Sequence, residues 1–353
     1  MYEQCTLDDV RRALTFLDRA DEREIWIKVG MAIKSEFGDE GFDAWDYWSE
    51  QAGNYNADSA KASWKSFKHS GGGIGIGTLF ALAKEHGFEF ERRELSEAEK
   101  QQQARERAER ERQRKIDAER EAAEEAAWFE RIALLAQSIW AELKPMGRSP
   151  YLGRKKVKSY GLRFFSGPLL LVERGDQVEV LTDWAEIKPI FDVPKEEREA
   201  QGTKIQFFKK GHAAVPLMDI DGKIWNLQVL SEKSKAFIRH GRKSGLFYWI
   251  GEPDPNKPLI LVEGYSTGAT IREATSIGEA YDCPVVVCFD CGNLMSVALQ
   301  LRERYPDQHM VFAADDDAHL KVNDGVEKAT AAAKVVGGSV IIPSLNEELE
   351  EAA

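Results

Sequence analysis

Acidic side chains follow two apolar runs in the last third of the chain, at the points where the runs end. Glu263-Gly264-Tyr265 comes directly after Leu259–Val262, and Asp315-Asp316-Asp317 ends the run 310–314. Because ligands bind at the carboxyl ends of the strands in open α/β sheets, we expect these carboxylates to lie together. Carboxylate oxygens suit Mg²⁺ or Mn²⁺, and those ions serve phosphate chemistry. We therefore predict a metal site in which Glu263, Asp315 and Asp317 are the catalytic acids and Asp316 is able to substitute as a ligand.

Charge is distributed unevenly along the 353 residues, although the formal net charge of the whole chain is -12. Between residues 148 and 250 there are 19 Lys and Arg against 12 Asp and Glu, whereas residues 251–353 hold 7 against 18. A basic segment beside an acidic one favours a groove for a polyanion next to a metal-binding pocket, and ordinary surface variation is the alternative.

Four cysteines are too few for a disulfide framework in a chain of this length. Cys283, Cys288 and Cys291 surround the apolar strand 285–287, and alternation points them to different sides of the sheet. We interpret them as reduced core thiols and expect no zinc. With no signal peptide and no apolar run near the ~20 residues that cross a bilayer, we expect a cytoplasmic protein without a membrane partner.

Residues 1–90 have the pattern of a small helical domain. Apolar side chains fall at helical spacing in Leu7, Val10, Leu14 and Leu17. The glycine run 71–77 lacks the Lys-Ser/Thr ending of a phosphate loop and is interpreted as a turn, after which Thr78 should cap a helix over 79–85. Lys61, Lys65 and Lys68 could contact single-stranded DNA, or Trp64 and Phe67 beside them could simply be core.

Residues 92–127 are nearly all Glu, Arg, Ala, Gln and Lys, and they predict a solvated helical linker over 91–140 that acts as a spacer. Disorder is the alternative for this segment. The helix should continue into a packed one with Phe129, Ile132, Leu135 and Ile139 on one face.

The rest of the chain predicts a basic α+β segment over 141–256 and an α/β segment over 257–353. Strands are expected at 169–172, 178–181, 214–218, 225–230 and 246–250, with a hairpin turn at 219–222. From 258 to 342 strands alternate with helices, which is typical of a doubly wound parallel sheet. The predicted fold class is thus multidomain, α+β and α/β, with a small helical N-terminal domain and a long charged helix.

The 258–342 segment resembles a Toprim domain, the metal-binding module of topoisomerases, bacterial-type primases and some nucleases. The resemblance rests on Val262-Glu263-Gly264-Tyr265, on Phe289-Asp290-Cys291-Gly292-Asn293-Leu294 and on the run Ala314 to Asp317, which occur in order at strand ends. It is closest to primases of phages and plasmids. Residues 145–250 look like the basic half of a primase core, and residues 8–88 resemble the helical domain that accompanies primase modules in mobile elements.

The resemblance implies a DNA primase that makes short RNA primers on a single-stranded template by metal-dependent nucleotidyl transfer, in the bacterial or phage-infected host cytoplasm. Nucleoside triphosphates are the implied substrates, and a replicative helicase is an open further partner. The alternatives are a Toprim-family nuclease and a non-catalytic single-stranded-DNA-binding replication factor. The chain departs from the family in having no zinc ribbon and no acids directly after its last strand.

Clustered cations in the basic segment are the candidates for binding template phosphates and the incoming triphosphate. Aromatic side chains nearby, at Tyr160, Phe207 and Phe208, could stack on bases. Asn293 could cap the helix that follows it or bind phosphate at that helix N-terminus. The candidate basic residues are Arg154, Lys155, Lys156, Lys158, Arg163, Lys209, Lys210, Lys233, Lys235, Arg239, Arg242 and Lys243.

Overall fold

The structure, a computed structural model, describes residues 5–18, 20–67, 74–90, 97–276, 282–314 and 324–342. The chain mixes helices and sheets and divides into two compact units, Met1–Glu125 and Ala126–Ala353. The triplet Asp315-Asp316-Asp317 lies outside the described residues, as do Lys68 and residues 71–73 of the glycine run.

The first unit is helical, as the spacing of its apolar residues predicts. Trp45 and Trp48 are buried at its centre, and Trp64 and Phe67 are core residues, with Lys61 and Lys65 exposed beside them. Its helices are α1 (Leu7–Leu14), α2 (Arg23–Phe37), α3 (Phe42–Ser49), α4 (Ala57–Ser66) and α5 (Ile76–Glu85).

Two predictions for this unit need correction. Helix α5 begins at Ile76, so Thr78 is not its cap; the amide of Thr78 already donates to the carbonyl of Gly75 at 2.8 Å. The charged segment is one helix, α6 (Glu97–Glu142), but it is not wholly solvated. Arg114 donates to the Glu36 carbonyl at 2.6 Å, because its long side chain reaches the neighbouring helix.

Helix α6 ends in the second unit, where its apolar face is buried as predicted. Ile132, Ala136 and Ile139 lie in a core shared with Leu171 and Phe208. The core position of Phe208, which is 3% exposed, excludes the predicted stacking of this ring on a base.

The basic segment forms two antiparallel sheets, with strand orders β1-β5-β6-β7 and β3-β2-β4. The predicted hairpin is the β5–β6 pair. The sequence did not predict β1, β4, β7 or helices α8 and α9. The elements are α7 (Pro150–Lys155), β1 (Arg163–Phe164), β2 (Leu169–Arg174), β3 (Gln177–Leu181), α8 (Trp184–Asp192), α9 (Lys195–Ala200), β4 (Thr203–Phe208), β5 (Ala213–Met218), β6 (Ile224–Leu230) and β7 (Lys235–Phe237).

The third sheet has the order β12-β11-β9-β10-β8, in which only the edge strand β8 is antiparallel. Strands and helices alternate along it, as the sequence predicts. Its elements are β8 (Tyr248–Ile250), β9 (Leu259–Val262), α10 (Tyr265–Thr275), β10 (Val285–Val287), α11 (Leu294–Arg304), β11 (Met310–Ala313), α12 (Asp324–Val336) and β12 (Ser339–Ile341).

Side-chain alternation along β9 gives this sheet two packed faces. Ile260 and Val262 share a core with Ala269 of α10, whereas Leu259 and Leu261 pack with residues of α11 and α12. Helix α10 lies close to the strands at Gly268, where a Cβ atom would meet the side chains of Val262 and Val287 at 3.0 and 3.1 Å. The helices therefore lie on opposite faces and leave the carboxyl edge of the strands open to the loops.

Candidate active site at the carboxyl edge of the parallel sheet

The register of the central strands brings three strand ends to one edge. Val262 pairs with Val287 of β10 on one side and with Ala313 of β11 on the other. Glu263 is therefore the first residue beyond the central strand β9. The chain runs from β9 to β10 on one side and then crosses to β11 on the other, and in α/β sheets ligands bind where the strand order reverses in this way.

Glu263 is half-buried at this edge, and its Oε1 atom is shielded from solvent. Burial raises the pKa of the neighbouring Cys288 thiol, and the negative charges of Asp290 and Glu263 raise it further. Both carboxylates thus act on one buried group at the end of β10. The expected core position of Cys288 is confirmed, because it packs on the α11 and α12 side, whereas Cys283 packs on the α10 side.

Two lysines of the basic segment reach the same edge. Nζ of Lys235, on β7, lies 3.5 Å from the position that a Cβ atom would take on Gly264. Nζ of Lys243 lies 2.9 Å from Oδ2 of Asp290. The structure therefore places one cation beside the turn after β9 and a second at the turn after β10, as an anionic substrate at this edge would require.

Aromatic rings support the Lys243 contact. Its ammonium group lies 5.1 Å from the ring centroid of Phe237, which packs edge-on against Phe289 at 6.1 Å. Phe289 has φ of 73°, in the left-handed region that residues other than glycine seldom adopt. The strained residue turns the chain sharply after β10, and Asp290 follows it.

Asn293 has a structural role at this edge. Its Oδ1 atom accepts from the amide of Gly245 at 2.7 Å, and its Nδ2 atom donates to the carbonyls of Leu246 and Cys288, both at 2.8 Å. The side chain caps no helix; Asp290 caps the short turn before α11 instead. Because all three contacts are with backbone, this side chain is occupied in tying the loop before β8 to the end of β10.

The basic stretch 154–158 is fixed to helix α10, which begins two residues after Glu263. The hydroxyl of Tyr265 donates to the Lys158 carbonyl at 2.9 Å, and the Lys158 amide donates to Oε1 of Glu273 at 2.9 Å. Burial raises the pKa of Tyr265, so its hydroxyl stays a donor. The exposed side chains that this anchor holds in place are Arg154, Lys155, Lys156 and Lys158.

Two predicted phosphate-binding residues are occupied elsewhere. Arg163 donates to the Trp140 carbonyl at 2.7 Å and lies 4.8 Å from the centroid of the Trp140 ring. Arg242 donates to the Ser244 carbonyl and lies 5.0 Å from a ring centroid of Trp225. Their guanidinium groups make internal contacts because the planar cation stacks well on indole. The remaining candidates have exposed side chains. They are Lys209, Lys210, Lys233 and Arg239.

The sequence reasoning missed the anchoring roles of Tyr265 and Glu273. The sequence offers no local signal for these roles, because the two contacts join residues that are 107 and 115 positions apart. Within the ranges that the structure describes, no three His, Cys, Asp or Glu side chains form a group that could hold a metal ion. The predicted metal set needs the Asp315 to Asp317 triplet, which lies outside these ranges, so it stays a prediction.

Comparison with known proteins gives one family match in the helical unit and two longer matches to named proteins. Residues 10–83 match the model of the family described as Primase C terminal 2 (PriCT-2). A protein named DNA primase TraC from Escherichia coli is 34% identical over 234 residues, which are 64% of this chain and 17% of the relative. A second protein of the same name and organism is 39% identical over 137 residues, or 36% of this chain and 9% of the relative.

This chain thus spans less than a fifth of the length of these curated relatives. A solved structure titled as the DnaG primase catalytic domain bound to single-stranded DNA shows 14% identity and a TM-score of 0.38, over 64% of this chain and 81% of that one. At this TM-score the likeness is too weak to indicate the function of this chain. Among the helices of the described ranges, none combines the length and apolarity that crossing a membrane requires. The sequence matches confirm the resemblance to plasmid- and phage-type primases that the motifs indicate.

Proposed function

We propose that this chain is a DNA primase that joins ribonucleotides into short primers on a single-stranded DNA template, in the cytoplasm and for plasmid or phage replication. Its sequence relatives are named DNA primase TraC, and their matches cover 64% and 36% of the chain. The observation that carries the proposal is the position of Glu263 at the end of β9, next to β11, with Lys235 beside Gly264 and Lys243 on Asp290 after the neighbouring strand β10.

We assign the third sheet to the Toprim fold. Its strand order reverses between β9 and β11, and helices cover both of its faces. Glu263 follows β9 directly, and Asp315 follows β11 in sequence after one intervening residue, Ala314. These two neighbouring strands would deliver the acids that the Toprim motifs require.

The chemistry of the donor set fits Mg²⁺ or Mn²⁺. Glu263 offers hard oxygen ligands at a half-buried position, and Asp315, Asp316 and Asp317 would supply the rest. A bound divalent cation would neutralise charge on the triphosphate and stabilise the attacking and leaving oxygens.

The chain's own cations bind and orient the anionic reactants. Lys235 and Lys243 would contact the triphosphate at the sheet edge, because the Lys235 ammonium group lies near Gly264 and that of Lys243 is held there by Asp290. The exposed residues of the 154–158 stretch would bind template phosphates, and their anchor on α10 fixes the template relative to Glu263. Positioning of this kind lowers the barrier to joining two nucleotides.

Primer synthesis on single-stranded DNA tests the proposal. Wild-type protein with labelled nucleoside triphosphates and Mg²⁺ should form short oligoribonucleotides, and Glu263→Gln and Asp315→Asn should each lower dinucleotide formation by about 100-fold or more. Glu303→Gln is the matched control, because Glu303 is exposed near the far end of α11, roughly 15 Å along that helix from its start at the sheet edge. Undiminished synthesis by either acid variant would refute the assignment, and shortening of the DNA without synthesis would identify a nuclease.

A further inference from the structure

A cluster of four side chains lies in the second unit, and the proposed reaction does not use it. Nε2 of His240 lies 3.1 Å from Oε1 of Glu173, and Nζ of Lys204 lies 3.2 Å from the same oxygen. The His240 ring stacks on Trp128 of α6, with centroids 4.5 Å apart and planes 27° apart. The Glu173 side chain is only 11% exposed, so it depends on these partners for its polar contacts.

The cavity beside the cluster is too small to bind a ligand. It has a volume of about 10 Å³ and is lined by Ile132, Leu171 and the polar residues of the cluster. That volume is at the lower limit for one water molecule. The role of these side chains is therefore to hold neighbouring structure.

What they hold is a strained turn. His240 has φ of 58°, a left-handed conformation that residues other than glycine keep only where their surroundings enforce it. The backbone on the N-terminal side is fixed by Gln206, which donates to the Phe237 carbonyl at 2.9 Å and accepts from the Arg239 amide at 3.0 Å. On the other side, Asn226 donates to the Arg242 carbonyl at 3.3 Å.

The turn belongs to a loop of predicted phosphate-binding residues, which we call the 239–243 loop. It carries Arg239, Arg242 and Lys243, and Lys243 is the one whose ammonium group reaches Asp290 at the sheet edge. Since His240 is three residues before Lys243, a change in its backbone conformation moves Lys243 relative to that edge.

We propose that His240 is a positioning residue. Its stack on Trp128 and its contact with Glu173 hold the 239–243 loop so that Lys243 is presented at the sheet edge, and the last turns of α6 are thereby part of the apparatus that orients the anionic substrate. The role of the loop in substrate binding rests on the proposed function, whereas the contacts of His240 that hold the loop do not.

Two variants distinguish an effect on the 239–243 loop from an effect of removing a positively charged partner of Glu173. His240→Ala and Lys204→Met each remove one partner of Glu173, but only His240 belongs to the loop. We expect His240→Ala to raise the KM for nucleoside triphosphates in primer synthesis about tenfold, with a smaller change in kcat, as for contacts that act through a network. Lys204→Met and Trp128→Phe should leave KM within about twofold of wild type, while Trp128→Ala should behave as His240→Ala does.

Backbone hydrogen exchange gives a readout that needs no primer synthesis. The amides of Gly241 and Leu246 donate within this region, to the carbonyls of Ile238 and Lys243. They should exchange about tenfold faster in His240→Ala and at the wild-type rate in Lys204→Met. If the wild type made no primers, the proposed function would be refuted, but the exchange rates would still test whether His240 holds the loop. Equal effects in the two variants, or faster exchange with an unchanged KM, would overturn the positioning role.

Discussion

Replacement of Asn293 by Asp probes how the sheet edge is assembled, because the two side chains have nearly the same shape. Asn293 is 5% exposed and makes one accepted and two donated hydrogen bonds, all with backbone groups. Asp keeps an acceptor for the Gly245 amide but loses both donors. The carbonyls of Leu246 and Cys288 would then face carboxylate oxygens at about 2.8 Å in place of an amide nitrogen.

The expected loss follows from these two carbonyls. Leaving a buried hydrogen-bonding group without its partner costs about 1–3 kcal/mol, so two of them together cost roughly 4 kcal/mol of unfolding free energy. For a unit of this size that corresponds to a fall of roughly 8–16 °C in Tm. The repulsion between a carboxylate and two carbonyl oxygens adds to the loss in the same direction.

Urea unfolding followed by circular dichroism measures the change, with the transition of the second unit compared between variants. Asn256→Ser is the control, since Asn256 is exposed and the change removes only its 3.3 Å contact with Asp254 without adding a charge, so stability should change by about 0.5 kcal/mol or less. A loss in Asn293→Asp below about 1 kcal/mol, or equal to that of the control, would refute the bridging role of Asn293.

Three further predictions concern other contacts of the second unit. Gly268→Val should lower the urea midpoint strongly, because its Cβ would meet two strand valines at 3.0 and 3.1 Å, and an unchanged midpoint would disprove this tight contact. Tyr265→Phe leaves the Lys158 carbonyl without its donor and should cost about 1–3 kcal/mol and weaken binding of single-stranded DNA in fluorescence anisotropy; wild-type values for both would exclude the anchor. Burial, and then the charge of Lys209, lower the pKa of His212 below its ordinary value of 6.5. The unfolded chain therefore takes up a proton at this residue more readily than the folded chain does, so the unfolding free energy is highest above pH 6.5 and falls as the pH is lowered below it. Urea midpoints at pH 5.0 and 7.5 should therefore differ less in His212→Gln than in wild type, and an equal difference would contradict the argument.

The sequence was sufficient where one physical signal dominates. Strands β9, β10 and β11 are buried on both faces and read as continuous apolar runs. Strand β4 was missed because its two phenylalanines suggested base stacking. In fact Phe208 packs in the core, and Phe207 on the opposite face packs against Phe191 of α8.

The sequence was insufficient to predict the contacts of polar side chains that can bond to several different groups. A pattern cannot tell whether an arginine faces solvent or stacks on an indole, as Arg163 does on Trp140. It likewise cannot reveal that the side-chain amide of Asn293 bonds to backbone groups of Gly245 and Leu246, which are 48 and 47 residues away in sequence. These choices depend on tertiary packing, which brings the loop before β8 to the end of β10.

The central claim is that carboxylates from β9 and from the segment after β11 converge on one divalent cation. Iron-mediated backbone cleavage measures this directly. With added hydrogen peroxide and ascorbate, the peroxide oxidises Fe²⁺ bound at the oxygen-ligand site to Fe³⁺ and yields hydroxyl radicals that cut the nearby chain, and ascorbate reduces the Fe³⁺ again. The account predicts cuts near both residue 263 and residue 315, each suppressed by excess Mg²⁺ and absent in Glu263→Gln. Cuts near only one of the two positions, or at neither, would contradict it.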